Sequence, residues 1–336
     1  MHNKLLLTVA TLALMAGCQS KGSCSFAGCG PDAPLGGTGG GTGGGTGGIT
    51  INQDNALTIL REAWYAANTT SDLPFFVVAT GIGDTSGGVA SAGGNNLKSL
   101  PGNQVLMTPF GPTAYNCPVS GTFIVTGDVT DMNTITAGDF STYDASACDS
   151  GTGFTVDGIH SLDINSVVGD VASGQFEVAQ TMNFTNFRAA LASQVTTING
   201  DHTVVRDTRT PGSITTAYSG NSLDVNEQGI TVLVRNYSGF MTTDTATLDT
   251  SIDVVGTVNS SVIAGSYVYS NSETIQRAFG GNPSDGIFDV TGANSSTARI
   301  FVVDSNTVNL QVDENASTNY EFSVNITWEE FLGLAP

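Results

Sequence analysis

The sequence predicts an all-β body with one N-terminal helix, a large antiparallel β-meander that curls into a barrel, half-barrel or sandwich. Three observations predict it. From Pro118 onward, short segments rich in Val, Ile, Thr, Phe and Tyr alternate with Gly, Asn, Asp and Ser punctuation at a spacing of about 8 to 14 residues, the rhythm of antiparallel strands. Near the C-terminus, Tyr320, Phe322, Val324, Ile326 and Trp328 take every second position, as a strand with one buried and one wet face requires. Only Asp54 to Asn68 carries a helical period.

The chain opens with a basic start (His2, Lys4), an apolar run from Leu5 to Met15, and small Ala16 and Gly17 directly before Cys18. That is the layout of a cleaved export signal. The run is much shorter than the ~20 residues a membrane-spanning helix needs. Residues Leu14-Met15-Ala16-Gly17-Cys18 resemble the lipobox of bacterial lipoproteins. The resemblance implies that Cys18 is acylated and becomes the mature N-terminus. Gln19, where inner-membrane lipoproteins carry Asp, implies the outer membrane, with the periplasmic or extracellular face left open. Read without the resemblance, the same residues also fit an ordinary secretory signal cleaved near Ala16.

From Leu35 to Thr50 the sequence is almost wholly Gly and Thr, with no side chains able to form a core. It reads as a flexible tether, with a root-mean-square span of about 20 Å over Gly36 to Gly48 and a full stretch from Gln19 of roughly 100 Å. The expected layout is a signal peptide over 1–17, the lipidated cysteine and tether over 18–50, and one β-rich body over 51–336. The best candidate break in that body is Thr208 to Gly212, around Pro211, after which the strand rhythm resumes. Besides Cys18 there are Cys24, Cys29, Cys117 and Cys148 in a chain bound for an oxidising compartment, and four thiols allow three pairings. Nearest-neighbour pairing, Cys24 with Cys29 and Cys117 with Cys148, is favoured because the first pair lies in the tether. The second would close a loop credited with roughly 3 to 4 kcal/mol.

In the helix, Ala56, Ile59, Leu60, Ala63, Trp64 and Ala67 recur at spacings of three and four, with Asn52 or Asp54 as the cap and the Trp/Leu face against a sheet. An apolar stretch, Leu73 to Ala79, and a Gly/Ser/Asn-rich loop, Gly81 to Asn96, follow. Phe176, Val178, Met182 and Phe184 alternate as a strand. Ile252, Val254, Val258, Val262 and Val268 flank a turn at Asn259-Ser260. Ile300 and Val302, then Val308, Leu310 and Val312, then the terminal stretch form a three-stranded meander. A dozen or more strands need a sheet that curls or closes to hide its edges.

Ten basic against 30 acidic side chains give a formal charge of −20, so nucleic acid and anionic lipid surfaces repel the chain. His160 and His202 are the histidines left after signal cleavage, and neither has metal-site spacing. Gly220-Asn221-Ser222-Leu223 and Asp157-Gly158-Ile159-His160 are similar to the two catalytic blocks of Gly-Asp-Ser-Leu esterases, but in reversed order. Asp313, Asn315, Ser317 and Glu321 have the spacing of a calcium loop, with Thr318 and Val324 where Gly and Glu belong; a polar hairpin turn is the competing reading. Phe176, Phe184, Tyr320 and Phe322 either fill a core or line a lipophilic cavity.

The body resembles the uncharacterised β-rich envelope lipoproteins of many proteobacteria, through the Gly/Thr tether, the two spaced cysteines, Ser296-Thr297-Ala298-Arg299 and Thr327-Trp328-Glu329-Glu330. That group shares a layout and no common site, so the resemblance implies no activity. The expected function is an envelope-anchored, non-enzymatic binding or structural lipoprotein with no cofactor or metal, joined to the membrane through its N-terminal lipid. Its ligand class, whether protein, glycan or apolar molecule, stays open. The alternatives are a periplasm-facing carrier of a lipid or other apolar ligand in a curved sheet, and a hydrolase with an unrecognised site.

Overall fold

The computed structural model describes residues 48–80, 110–128, 130, 135–149, 154–191, 194–227, 230–260, 262–317 and 319–333. Cys18, Cys24, Cys29, the tether up to Gly47, the segment 81–96 and Thr318 lie outside them. Helix α1 (Ala56–Thr80) is followed by β1 (Phe110–Asn116), β2 (Ser120–Asp128), β3 (Phe140–Asp149), β4 (Phe154–Asp170), β5 (Gln175–Leu191), β6 (Gln194–Asp207) and β7 (Ser213–Glu227). The chain continues with β8 (Ile230–Asp244), β9 (Thr250–Ser260), β10 (Gly265–Arg277), β11 (Pro283–Thr291), β12 (Thr297–Val302), β13 (Thr307–Asp313), β14 (Phe322–Thr327) and a short helix, α2 (Trp328–Leu332). The strands pair in sequence order in one 14-stranded antiparallel meander. Among the described residues β1 and β14 do not pair, so the ladder is not closed into a barrel.

Two compact units divide the chain. The first holds Asp72–Thr215 and Ser219–Thr231. Its strands change their inward phase at bulges. On β5, Phe176, Val178, Met182 and Phe184 are buried, but beyond Asn186, whose φ is 48°, the buried set becomes Phe187, Ala189 and Ala190. At two of these bulges the neighbouring strand carries a glycine where the bulged residue presses against it. A Cβ on Gly158 would stand 2.1 Å from the Asn186 carbonyl oxygen, and one on Gly121 would stand 2.1 Å from that of Ala147. Glycine is required there on two counts, close approach and positive φ (82° at Gly121, 90° at Gly158).

Cys117 and Cys148 form the expected disulfide, with a Cα separation of 5.4 Å. It ties the β1–β2 turn to β3 across 31 residues of sequence. Replacing both by Ser is expected to lower the unfolding free energy by about 3 kcal/mol, read from urea denaturation of oxidised wild type and variant.

The second unit holds residues up to Ser71, Thr216–Tyr218 and Val232–Pro336. The Asn52 side chain caps α1, accepting the amides of Asp54 and Asn55, both at 3.1 Å. Ala56, Ile59, Leu60, Ala63, Trp64 and Ala67 are all buried. Trp64 meets Phe288 edge-on at 5.2 Å, Trp328 at 5.2 Å and Phe331 at 6.1 Å, so the Trp/Leu face packs as expected. Buried Tyr267 donates to Glu62 at 3.0 Å, giving a carboxylate on the covered side of the helix its partner.

Three expectations are corrected. The helix does not stop at Asn68 but runs to Thr80, through Pro74 and the apolar stretch Leu73 to Ala79. In the turn before that proline, Thr70 and Ser71 hydroxyls donate to carbonyls three residues back at 3.0 and 2.6 Å. The terminal strand ends at Thr327 instead of Trp328. There Thr327 and Glu330 form a capping box, so Trp328 starts α2 and turns into the core. β14 itself has no buried residue: Val324 is 37% exposed because this is the last strand in the pairing order, with no neighbour beyond it among the described residues. Finally, Val262 and Val268 face outward; Val262 sits in the β9–β10 turn, and the inward residues of β10 are Tyr267 and Tyr269.

Candidate functional site

The built feature that connects with the sequence layout is the point where the Gly/Thr tract meets the body. Immediately after Gly48, Ile49 is buried and its amide donates to the Ser266 carbonyl at 3.1 Å, while its carbonyl accepts the Ala293 amide at 2.7 Å. Two residues on, the Ile51 amide donates to the buried Ser296 hydroxyl at 2.8 Å, and that hydroxyl donates to the Ala293 carbonyl at 2.8 Å. The three-residue segment therefore lies clamped between the start of β10 and the turn that joins β11 to β12. Gly292 makes room for it, since a Cβ there would stand 2.1 Å from the Ile49 carbonyl oxygen. The Asn52 cap follows at once, so the hydrogen-bonded segment with its two buried isoleucines leads directly into α1.

In the sequence Ser296 stands only within the ending Ser296-Thr297-Ala298-Arg299; its role is visible once Ile51 lies beside it. Replacing Ser296 by Ala leaves the Ile51 amide buried without its acceptor, at a cost of about 1 to 3 kcal/mol. The expected result is earlier proteolytic cleavage around Ile49 to Ile51 by a broad-specificity protease, with little change in the far-ultraviolet circular dichroism.

The sequence-derived catalytic fragments do not come together. His160 lies on β4 and Ser222 on β7, with β5 and β6 between them in the pairing order, a separation of roughly 14 Å at ordinary strand spacing. The Asp157 carboxylate is engaged elsewhere, accepting the Ala147 amide at 3.1 Å. Both histidines are buried within the first unit, His160 at 1% and His202 at 0% exposure. His160 stacks between Phe184, at 5.0 Å, and Tyr143, at 6.1 Å, with Phe187 edge-on at 5.9 Å. Its Nε2 finds no hydrogen-bond partner among the described residues. Burial pushes the His160 imidazole down to about 4 and that of His202 down to about 3, so both rings are neutral at pH 7.

The calcium-like residues form a closed polar turn. The Asp313 carboxylate accepts the amides of Asn315, at 3.2 Å, and Ser317, at 3.1 Å. Glu321 accepts from the Asn315 side chain, from the Ser317 hydroxyl at 3.2 Å and from the Glu314 amide at 3.1 Å. These are the bonds of a self-capping turn. Among the described residues no group of three or more His, Cys, Asp or Glu side chains is placed to hold a metal ion. Of the four aromatics considered as a cavity lining, Phe176 and Phe184 are buried in the first unit, while Tyr320 and Phe322 belong to the second. Tyr320 lies under the Arg299 guanidinium at 5.0 Å, and that guanidinium also bonds Asp289 at 2.7 Å.

No described helix is long and apolar enough to cross a membrane. Set against known proteins, the chain matches no family model, no curated protein and no solved structure, so a functional reading rests on its own residues.

Proposed function

We propose that the protein is an envelope-anchored, non-enzymatic binding or structural lipoprotein of the outer membrane, held by acyl chains on Cys18 and carrying its β-rich body on a Gly/Thr tether. The observation that carries this reading is the clamp on Ile49 to Ile51, which sits where the Gly-rich tract ends and gives the tether a fixed, buried attachment. A flexible leader with no anchoring role needs no such seat. Two further points support it: the lipobox-like Leu14-Met15-Ala16-Gly17-Cys18, and the separation of the candidate catalytic residues onto distant strands.

The test is mass spectrometry of the mature N-terminus together with fractionation of cells making wild type or Cys18→Ala. Diacylglyceryl-modified Cys18 and membrane partition of wild type, with release of the variant into the soluble envelope fraction, are expected. An unmodified N-terminus beyond Cys18 overturns the anchor. Protease added to intact cells then assigns the membrane face.

A further inference from the structure

The binding part of the proposed function can be given a location. We propose that the edge of β14 that pairs with no further strand among the described residues is a docking site for an extended peptide strand that carries basic residues at its ends. The inference deepens the binding reading but uses only β13, β14, α2 and the turns beside them.

The hydrogen-bond phase of β14 follows from the contacts at its end. The Trp328 amide donates to the Asn306 carbonyl at 3.0 Å, so Asn306 and Trp328 form a hydrogen-bonded position, and such positions recur at every second pair of an antiparallel ladder. Val308 with Ile326, Leu310 with Val324, and Val312 with Phe322 are therefore the pairs that bond across β13 and β14. The peptide groups of Ser323, Asn325 and Thr327 point the other way, to the side where the sheet ends. The Thr327 amide is taken by the Glu330 carboxylate at 2.7 Å, as the phase requires. Those of Ser323 and Asn325 face outward along a straight, bulge-free ladder.

Natural sheets guard such edges with proline, lysine or a bulge. The opposite edge of this sheet does so, since β1 carries Pro112 and a register shift between Phe110 and Thr113. β14 has none of these devices. Its apolar row is also unfinished. Val308, Leu310 and Val312 are buried, but their partners Ile326 and Phe322 are only half-buried and Val324 is exposed. One more strand would continue both the ladder and the apolar layer.

Charge selects the occupant. β14 carries no charge of its own, but Glu314 and Glu321 stand before it and Glu329 and Glu330 after it, where the Arg61 guanidinium donates to the Glu330 and Phe331 carbonyls and leaves the carboxylates in excess. A second copy of the chain brings the same four carboxylates and a formal charge of −20, so edge-to-edge self-pairing is opposed. A strand with alternating apolar residues and Lys or Arg at its ends meets the acidic flanks favourably and adds main-chain hydrogen bonds, the mode of β-strand addition.

The test uses a fluorescent peptide of about nine residues, alternating Val and Thr between terminal lysines, added to the full mature chain. Saturable binding is expected, weakened by salt and about tenfold weaker when the lysines are replaced by glutamates. Amide resonances of Ser323 and Asn325 should shift on binding. Asn325→Pro removes one outward amide and keeps the main-chain bonds to β13, giving up only the side-chain bond that Asn309 donates to Asn325 at 2.6 Å, and a loss of affinity of about tenfold or more is expected with unchanged near-ultraviolet circular dichroism. Ser323→Pro serves if the first variant misfolds. No binding, or binding indifferent to both prolines, overturns the proposal; concentration-dependent dimers abolished by Asn325→Pro would assign the edge to a second copy instead. Cys18→Ala chain should bind the peptide as wild type does, so failure of the lipid anchor and failure of the edge are separable.

Discussion

Between pH 6 and pH 5 the unfolding free energy is expected to fall by about 2.4 kcal/mol, a little under twice the full linkage slope of one histidine because the unfolded rings are already partly neutral at pH 6. The sign follows from the two buried rings. In the unfolded chain His160 and His202 take up protons near 6.5, whereas in the fold burial holds them down to about 4 and about 3. The stability they contribute is complete above pH 6.5 and is lost as the pH falls towards those values, because the unfolded state binds the protons first. By pH 4 the loss reaches roughly 6 kcal/mol as an upper bound, comparable with the whole stability of many domains. Carboxylates held down by hydrogen bonds, such as Asp244 by the Thr247 and Ala246 amides and Glu330 by Thr327, contribute to acid unfolding only at lower pH, since unfolded carboxylates titrate near 4. The window from 6 to 5 therefore isolates the histidines. Urea denaturation at both pH values should show His160→Phe halving the slope, and adding His202→Leu should nearly flatten it. A wild-type midpoint that does not move over that interval would show that the rings are not both neutral and buried.

Those histidines mark the limit of what a sequence discloses. Their spacing excluded a metal motif but carried no sign of burial, because the residues that cover them come from other strands: His160 is enclosed by Tyr143 on β3 and Phe184 and Phe187 on β5. Strands with an unbroken period, such as Val308, Leu310 and Val312 on β13 or Ile252, Val254 and Val258 on β9, were legible because alternation alone determines the face. Bulged strands were not. A single residue such as Asn186 reverses the inward phase, and a window spanning it averages two opposite patterns into none. The last strand misled in the other direction. Its alternation is regular, yet burial depends on a neighbour, and among the described residues β14 has one on a single side only. Thr327-Trp328-Glu329-Glu330 did contain the capping signature that ends the strand, hidden because Trp328 also fitted the two-residue period. Of the tether clamp, the sequence displayed the glycine tract; Ser266, Ala293 and Ser296 reach Ile49 and Ile51 from more than 200 residues away, where no local pattern points.

The second large effect is expected at Gly256, where substitution by Val should destabilise the protein by at least about 3 kcal/mol and lower the melting temperature by roughly 10 °C. Gly256 on β9 pairs directly with Tyr269 on β10, and the tyrosine ring lies across the bare glycine backbone. A Cβ at Gly256 would stand 2.5 Å from the Tyr269 Oη and 2.6 Å from its Cζ, so the ring has to leave. It has nowhere easy to go. Tyr269 is buried and stacked on Phe288 at 5.9 Å, and Phe288 in turn holds Trp64 of α1. The same arrangement recurs at Gly239, where a Cβ would stand 2.3 Å from the Tyr218 Cζ, so it is a repeated way of filling the core of the second unit. A strand-breaking residue thus serves the sheet by letting a neighbour's aromatic ring lie flat. If the collision is the cause, pairing Gly256→Val with Tyr269→Ala should cost less than the sum of the two single changes, because the valine then occupies space the ring vacated. Gly281→Ala provides the comparison, since its nearest neighbouring atom is 3.5 Å away and its effect should stay within about 1 kcal/mol. Strict additivity of Gly256→Val and Tyr269→Ala in calorimetric unfolding would place the cost in the strand backbone and remove the ring from the explanation.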